Sequence, residues 1–124
     1  MRSEESERAN PIVEKSKGFA IRIVRACQFL RQRKKEYVLS RQLLRSGTSV
    51  GANIAEAEYA ISRSDFLAKL YIALKETAET LYWIELLYKT DYFTEAQYQS
   101  LFKDAEELRR MLSSDTKTTR ENEQ

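Results

Sequence analysis

Apolar residues recur at steps of three and four along four separate stretches of this chain, the spacing that gathers side chains on one face of an α-helix. The first stretch reads Ile12, Ser16, Phe19, Ile23, Cys27 and Leu30, with Ala20 and Ala26 beside it. Asn10-Pro11 offers an N-cap side chain followed by a proline at a first helical position, which predicts a helix from Asn10 to about Lys34. The second, after a break over 36–39, reads Leu39, Leu43, Gly47, Val50, Ile54, Ala57 and Ile61, with Ser40 as its cap. Ser62 and Asp65 stand in capping-box spacing before the third, Leu67, Leu70, Leu74, Thr77, Leu81, Ile84 and Tyr88. Thr94 and Gln97 do the same for the fourth, Tyr98, Leu101, Ala105, Leu108 and Leu112. Short connections favour antiparallel neighbours, so the expected fold is all-α, an up-down-up-down left-handed antiparallel four-helix bundle over residues 10–112. Residues 1–9 have almost nothing to bury and are expected to be a mobile polar arm. Residues 113–124 contain no aliphatic or aromatic side chain and are expected to be a disordered polar tail.

Two features depart from a plain bundle pattern. Gly47 and Gly51 lie inside the second stretch, and each costs a helix interior about 1 kcal/mol relative to alanine. Close helix packing at Gly47, Gly51 and Ala55 is the compensation expected, on a line of mostly small residues running Leu44, Thr48, Gly51, Ala55, Tyr59. Secondly, Ile72, Glu76, Glu79, Trp83 and Leu86 share the face of the third helix opposite its seam. Isoleucine, tryptophan and leucine in line on an outer face predict burial against another chain. With the polar face Arg45, Ser49, Asn53 and Glu56 of the second helix, they form the expected interface of a homo-oligomer.

Composition narrows the class further. A chain of 124 residues suits one domain, and the single cysteine excludes an internal disulfide, which suits a reducing, cytoplasmic setting. No basic-apolar leader pattern is evident, and no window approaches the roughly 18 apolar residues of a membrane span, so no membrane partner is expected. The net charge is +2 but unevenly spread: residues 1–50 carry twelve Lys/Arg against five Glu, net +7, and the remainder is net −5. Between Lys15 and Arg45 there are ten basic residues and one acid, Glu36. Such a field attracts phosphate backbones, which makes Lys15, Arg22, Arg25, Arg31, Arg33, Lys34, Lys35 and Arg41 the candidate RNA-binding residues. The alternative is a basic face neutralised by the acidic half of the same chain or of a neighbour, leaving a protein-interaction scaffold. Of the seven tyrosines only Tyr37 lies squarely within the basic segment, so aromatic readout of bases is a weak signal.

Catalysis finds little support. The chain has no histidine, so neither a bundle di-metal site with Glu-x-x-His pairs nor a histidine acid or base is available. Glu56, Glu76 and Glu79 could offer oxygens to a hard cation, but ion pairing, with Arg45 as a partner, explains them more simply; no metal or other cofactor is expected. Cys27 lies on a core stripe with no base to activate it and reads as a small buried hydrophobe. Gly47 and Gly51 lack the strand and lysine of a phosphate loop. A non-enzymatic protein is expected.

The run LLRSGTSVGANIAEA, the Ser64-Asp65-Phe66 start of the third helix, and Leu74-Lys75-Glu76-Thr77-Ala78-Glu79-Thr80 resemble the bacterial 23S rRNA-intervening-sequence proteins. The resemblance covers roughly Pro11 to Met111 and is most specific over 46–56 with Glu76 and Glu79. It implies a four-helix bundle assembling into a ring, commonly a pentamer, with a basic surface proposed to bind RNA. A related branch resembles the accessory variability protein of diversity-generating retroelements, a basic pentamer that works with a reverse transcriptase and its template RNA. The resemblance therefore implies a partner in a ribonucleoprotein or reverse-transcriptase complex. It brings no well-established activity.

Overall fold

The computed structural model describes the backbone of residues 4–122 and the side chains of residues 11–121. Four helices account for nearly all of it: α1 (Glu4–Gln32), α2 (Leu39–Ala57), α3 (Arg63–Lys89) and α4 (Glu95–Asn122). Each helix packs on the next and α1 closes the square against α4, the lightest of the four contacts. Cross-helix contacts run in opposite senses throughout. Ile23 meets Gly47 and Ser16 meets Gly51; Ser46 meets Thr80 and Glu56 meets Lys69; Tyr88 stacks on Tyr98 and Arg22 reaches Asp104. The bundle is therefore up-down-up-down, all-α, as the periodicity predicts.

The α1 stripe is buried at all six expected positions, and the α4 stripe is buried from Leu101 to Leu112, with Tyr98 half-buried at its start. In α3 the buried line is instead Phe66, Leu70, Ala73, Thr77, Thr80, Ile84 and Leu87. Leu67, Leu74, Leu81 and Tyr88 sit half-buried at its edge. The face is rotated because α3 packs against α2 on one side and α4 on the other, so its core centre lies between the two seams. Thr80 serves the α2 side, its Oγ1 donating to Ser46 Oγ at 2.9 Å.

Helix ends depart more from expectation. The backbone is helical from Glu4, so Asn10-Pro11 does not start α1 and Pro11 lies inside it. The expectation for residues 1–9 falls in part on residues 1–3, outside those described. Ser40 does not cap α2 either, because the helix begins at Leu39 and Ser40 lies within its first turn. The cap is the Glu36 carboxylate, which accepts from the backbone N–H groups of Ser40 (2.8 Å), Leu39 (3.1 Å) and Val38 (3.3 Å). Ile61 falls beyond the end of α2 and is 94% exposed, not part of the seam. Ser62 and Thr94 behave as expected: Ser62 Oγ accepts from Asp65 N–H, and Thr94 and Gln97 exchange reciprocal bonds. Asp91 (φ 69°) ends α3 with the Tyr92 N–H donating to Leu87 O at 2.9 Å, a left-handed C-terminal turn.

The tail expected to be disordered from Ser113 continues α4 to Asn122 and buries Thr116 and Thr119. These extend the line Leu108, Leu112 at steps of four and three. Thr116 Oγ1 satisfies itself on Ser113 O at 3.0 Å, and Arg120 donates to Tyr71 Oη of α3 at 3.3 Å.

Close approach of α1 and α2 explains the two helical glycines. A Cβ on Gly47 would stand 2.8 Å from both Cγ1 and Cγ2 of Ile23, and one on Gly51 3.3 Å from the Ser16 carbonyl oxygen. Ala55 does not share this role. One turn further along, Ala55 is exposed, lining a groove with Val13, Lys17, Thr48 and Tyr59.

Candidate nucleic-acid interface

The fold divides the basic residues into two groups. Along the flank of α1, Lys15 Nζ pairs with Glu107 at 2.8 Å, and Arg22 pairs with Asp104 at 2.5 Å while donating to Ser100 O (3.3 Å) and Ser100 Oγ (2.7 Å). These two cations bridge α1 to α4, the least extensively packed of the four helix pairs. Antiparallel packing of α4 along α1 brings Glu107 and Asp104 beside Lys15 and Arg22, and it removes these two cations from the free positive field.

The second group collects where α1 ends and α2 begins. Arg31, Arg33, Lys34, Lys35 and Arg41 are all exposed there, Arg25 is exposed two turns below, and none of the six makes an ion pair among the described residues. The only acid of the segment, Glu36, is 8% exposed, with both carboxylate oxygens turned onto the start of α2. Inward capping thus consumes the one anion that could neutralise the cluster locally. The turn is fixed: Lys35 adopts a left-handed backbone (φ 55°), and the Glu36 N–H donates to Leu30 O at 2.9 Å. Two aromatics lie among the cations, with Arg31 Cζ 5.3 Å from the centroid of the Tyr37 ring and Lys34 Nζ 6.0 Å from that of Phe29. The α3–α4 turn at the same end contributes Lys89, Asp91 and Glu95, so the positive field is strongest on its α1–α2 side.

The expected oligomer residues do come together, on the α2–α3 face. Arg45 bonds the carboxylates of both Glu79 and Glu76, the latter at 3.4 Å, and Glu79 also accepts from the Trp83 indole N–H at 2.8 Å. Ser49 donates to Arg45 O and Asn53 to Ser49 O, and Glu56 pairs with Lys69 at 3.3 Å. Trp83 and Leu86 are half-buried in the chain, and Ile72 is 41% exposed. Periodicity missed a second exposed apolar strip, Ile21 (54%) and Val24 (38%) on α1, where it flanks Lys17 and Arg25. Glu36, Asp104, Glu107 and Lys69 were also missed; only the i, i+3 and i, i+4 spacing of Glu36 before Leu39 and Ser40 carried any signal for them.

Cys27 is buried and its Sγ–H donates to Ser40 O at 3.3 Å; burial pushes the thiol up to about 12, which suits a packing role. Among the described residues no group of three or more His, Cys, Asp or Glu is placed to hold a metal ion, and no helix is long and apolar enough to cross a membrane.

A bundle of this topology, with a basic turn at one end and an Arg-Glu-Glu-Trp cluster on one side, defines a class of small helical proteins. The chain matches the 23S rRNA-intervening sequence protein family over residues 8–114 and belongs to it. It is similar to a crystallographically determined protein of unknown function from the S23 ribosomal protein family of Bacteroides thetaiotaomicron. The two are 53% identical over 89% of this chain and 98% of that one, with a TM-score of 0.87. No curated protein matches. Neither description assigns a reaction.

Proposed function

We propose that this chain is a non-enzymatic, homo-oligomeric RNA-binding module that holds the phosphate backbone with the end of α1 and the α1–α2 turn. One observation carries the reading: Arg25, Arg31, Arg33, Lys34, Lys35 and Arg41 are exposed and make no ion pair among the described residues, while the intervening acid faces inward. Lys15 and Arg22 belong to the internal seam and contribute least. Oligomerisation through the α2–α3 face, in the ring of five that the family resemblance suggests, would multiply the cationic turn and raise affinity by avidity. Such a module would serve as an accessory to a ribonucleoprotein or reverse transcriptase in the cytoplasm.

The test is the molar mass of nuclease-treated protein by light scattering, alone and with short RNA at low and moderate salt. The expected result is a defined oligomer that gains RNA mass and loses it as salt rises. Replacing Arg33, Lys34, Lys35 and Arg41 together by Gln should abolish the gain and flatten the salt dependence, whereas Lys15→Gln should not. An unchanged RNA affinity in the fourfold variant would sink the reading. Trp83→Ala or Leu86→Arg should lower the oligomer mass with the helix content retained; an unchanged mass would place the interface elsewhere.

A second reading, a protein scaffold without a nucleic-acid ligand, draws on the Lys15–Glu107 and Arg22–Asp104 pairs, in which acidic and basic halves already satisfy each other. A defined oligomer that ignores RNA at low salt and falls apart at high salt would favour it.

A further inference from the structure

The α1–α2 turn carries more than charge. Tyr37 is 47% exposed and Val38 71% exposed, side by side at its outer edge, where neither contributes to the core. The Arg31 guanidinium lies over the Tyr37 ring, and Arg33, Lys34 and Lys35 immediately precede it. The ring is also pre-positioned. Residue 35 is locked in a left-handed turn, and residue 36 is held by its own N–H on Leu30 O and by its carboxylate on the first three N–H groups of the α2 start.

Resting on the RNA reading above, we infer that Tyr37 is a base-stacking platform, and that the ligand class is single-stranded RNA with an unstacked base, not a duplex. An aromatic face flanked by cations offers each nucleotide both of the contacts a single strand needs, a π-surface for the base and positive charge for the phosphate. Duplex RNA keeps its bases stacked away and would engage the cations alone. Phosphate binding by itself needs no exposed aromatic ring here, and a lysine or serine at position 37 would serve it better. Stacking tolerates any base, so weak sequence preference accompanies the platform.

The experiment is an anisotropy titration of the full chain with a single-stranded oligoadenylate of about ten nucleotides. It is repeated with the same strand carrying one 2-aminopurine and with the matching duplex. Tyr37→Ala should weaken single-strand binding about five- to a hundredfold, leave the salt slope unchanged and abolish the 2-aminopurine signal. Tyr37→Phe should retain both the affinity and the signal, and duplex binding should be weaker and indifferent to either variant. Position 37 is surface-exposed, so circular dichroism should show both variants folded. Wild-type affinity in Tyr37→Ala, with the fourfold Gln variant still defective, would overturn the platform and leave phosphate binding standing. Absence of RNA binding by the wild type would overturn both.

Discussion

Alanine at Gly47 and alanine at Gly18 should move stability in opposite directions, although both glycines lie inside helices. At Gly18 an added Cβ meets nothing within 4 Å, so Gly18→Ala gains only the helix-propensity difference, a stabilisation of about 0.5–1 kcal/mol. At Gly47 the same methyl would stand 2.8 Å from Cγ1 and Cγ2 of Ile23, a contact under any allowed carbon separation. Ile23 is fully buried, and its β-branch is confined to one strongly preferred rotamer in a helix, so α1 must move away from α2. Overpacking costs about 1–3 kcal/mol, and contact with both Cγ atoms of a fully buried side chain puts this site at about 2–3, from which a propensity gain of about 1 leaves a net loss of about 1–2 kcal/mol. For a chain of this size that is a fall of about 3–8 °C in Tm, measured by thermal unfolding at fixed protein concentration because assembly would shift it. The background decides the cause: Ile23→Ala removes both Cγ atoms and leaves only the 3.2 Å approach to Cβ, so Gly47→Ala introduced there should cost much less. If Gly47→Ala raises Tm in the wild-type background, or costs the same with and without the Ile23 side chain, the close-approach account of this glycine is wrong.

Glu36→Ala should lower stability by about 1–3 kcal/mol in urea unfolding, because three N–H groups at the start of α2 lose a buried carboxylate acceptor. Glu36→Gln, which keeps one acceptor oxygen, should cost less, and equal costs would show that capping is not its role. Cys27 should resist alkylation in the native protein at about pH 8 and react promptly in urea. Since burial raises its pKa from 9.0 to about 12, the stability it adds is complete below the lower value and lost as pH climbs through the higher one. Rapid native labelling would contradict the packing of α1 on Ser40. Thr116→Asp should cost about 2 kcal/mol or more by burying a charge, with loss of helical circular dichroism from the end of α4; an unperturbed spectrum would place residues 113–122 outside the bundle.

Side chains whose meaning is periodic were legible. Ile12 through Leu30 and Leu101 through Leu112 read correctly because an i, i+3, i+4 apolar repeat has only one efficient burial. At Gly47 and Gly51 an interior glycine demands compensation, and close approach supplies it, from the Ile23 side chain at the first and the Ser16 carbonyl at the second. What failed was reading that treated a residue by its type alone. Thr116 and Thr119 are polar by type, yet both are buried on the continued core line, and the Thr116 hydroxyl bonds Ser113 O in the preceding turn. Ser40 has the chemistry of a cap, but the helix begins one residue before it and a longer acid four residues earlier accepts from the N–H groups of Val38, Leu39 and Ser40. Asn10-Pro11 looked like a start because cap rules are local, whereas the α1 backbone is helical upstream of it. The partition of the cations was illegible for another reason: pairing of Lys15 and Arg22 depends on where Glu107 and Asp104 lie, some eighty or more positions away, and only the return of α4 along α1 brings them together.

That partition limits how strongly RNA binding can depend on salt. Releasing counterions from a single strand gives a slope of about 0.7 per phosphate contact in log affinity against log salt. Seven cations between Lys15 and Arg45, Lys17 and the six near the α1–α2 turn, make no ion pair among the described residues and support a slope of at most about 5 per protomer, whereas the full ten would support about 7. A steeper value than the smaller limit would require paired cations, Lys15, Arg22 or Arg45, to be released on binding, and opening the Arg22–Asp104 and Lys15–Glu107 pairs loosens the seam between α1 and α4. In that event RNA would lower the protection of α1 amides from hydrogen exchange, and Asp104→Asn would strengthen binding by freeing Arg22. A slope within the limit, with Asp104→Asn leaving affinity unchanged, is the outcome expected of a rigid bundle that meets RNA with its end and reserves its flank for holding itself together.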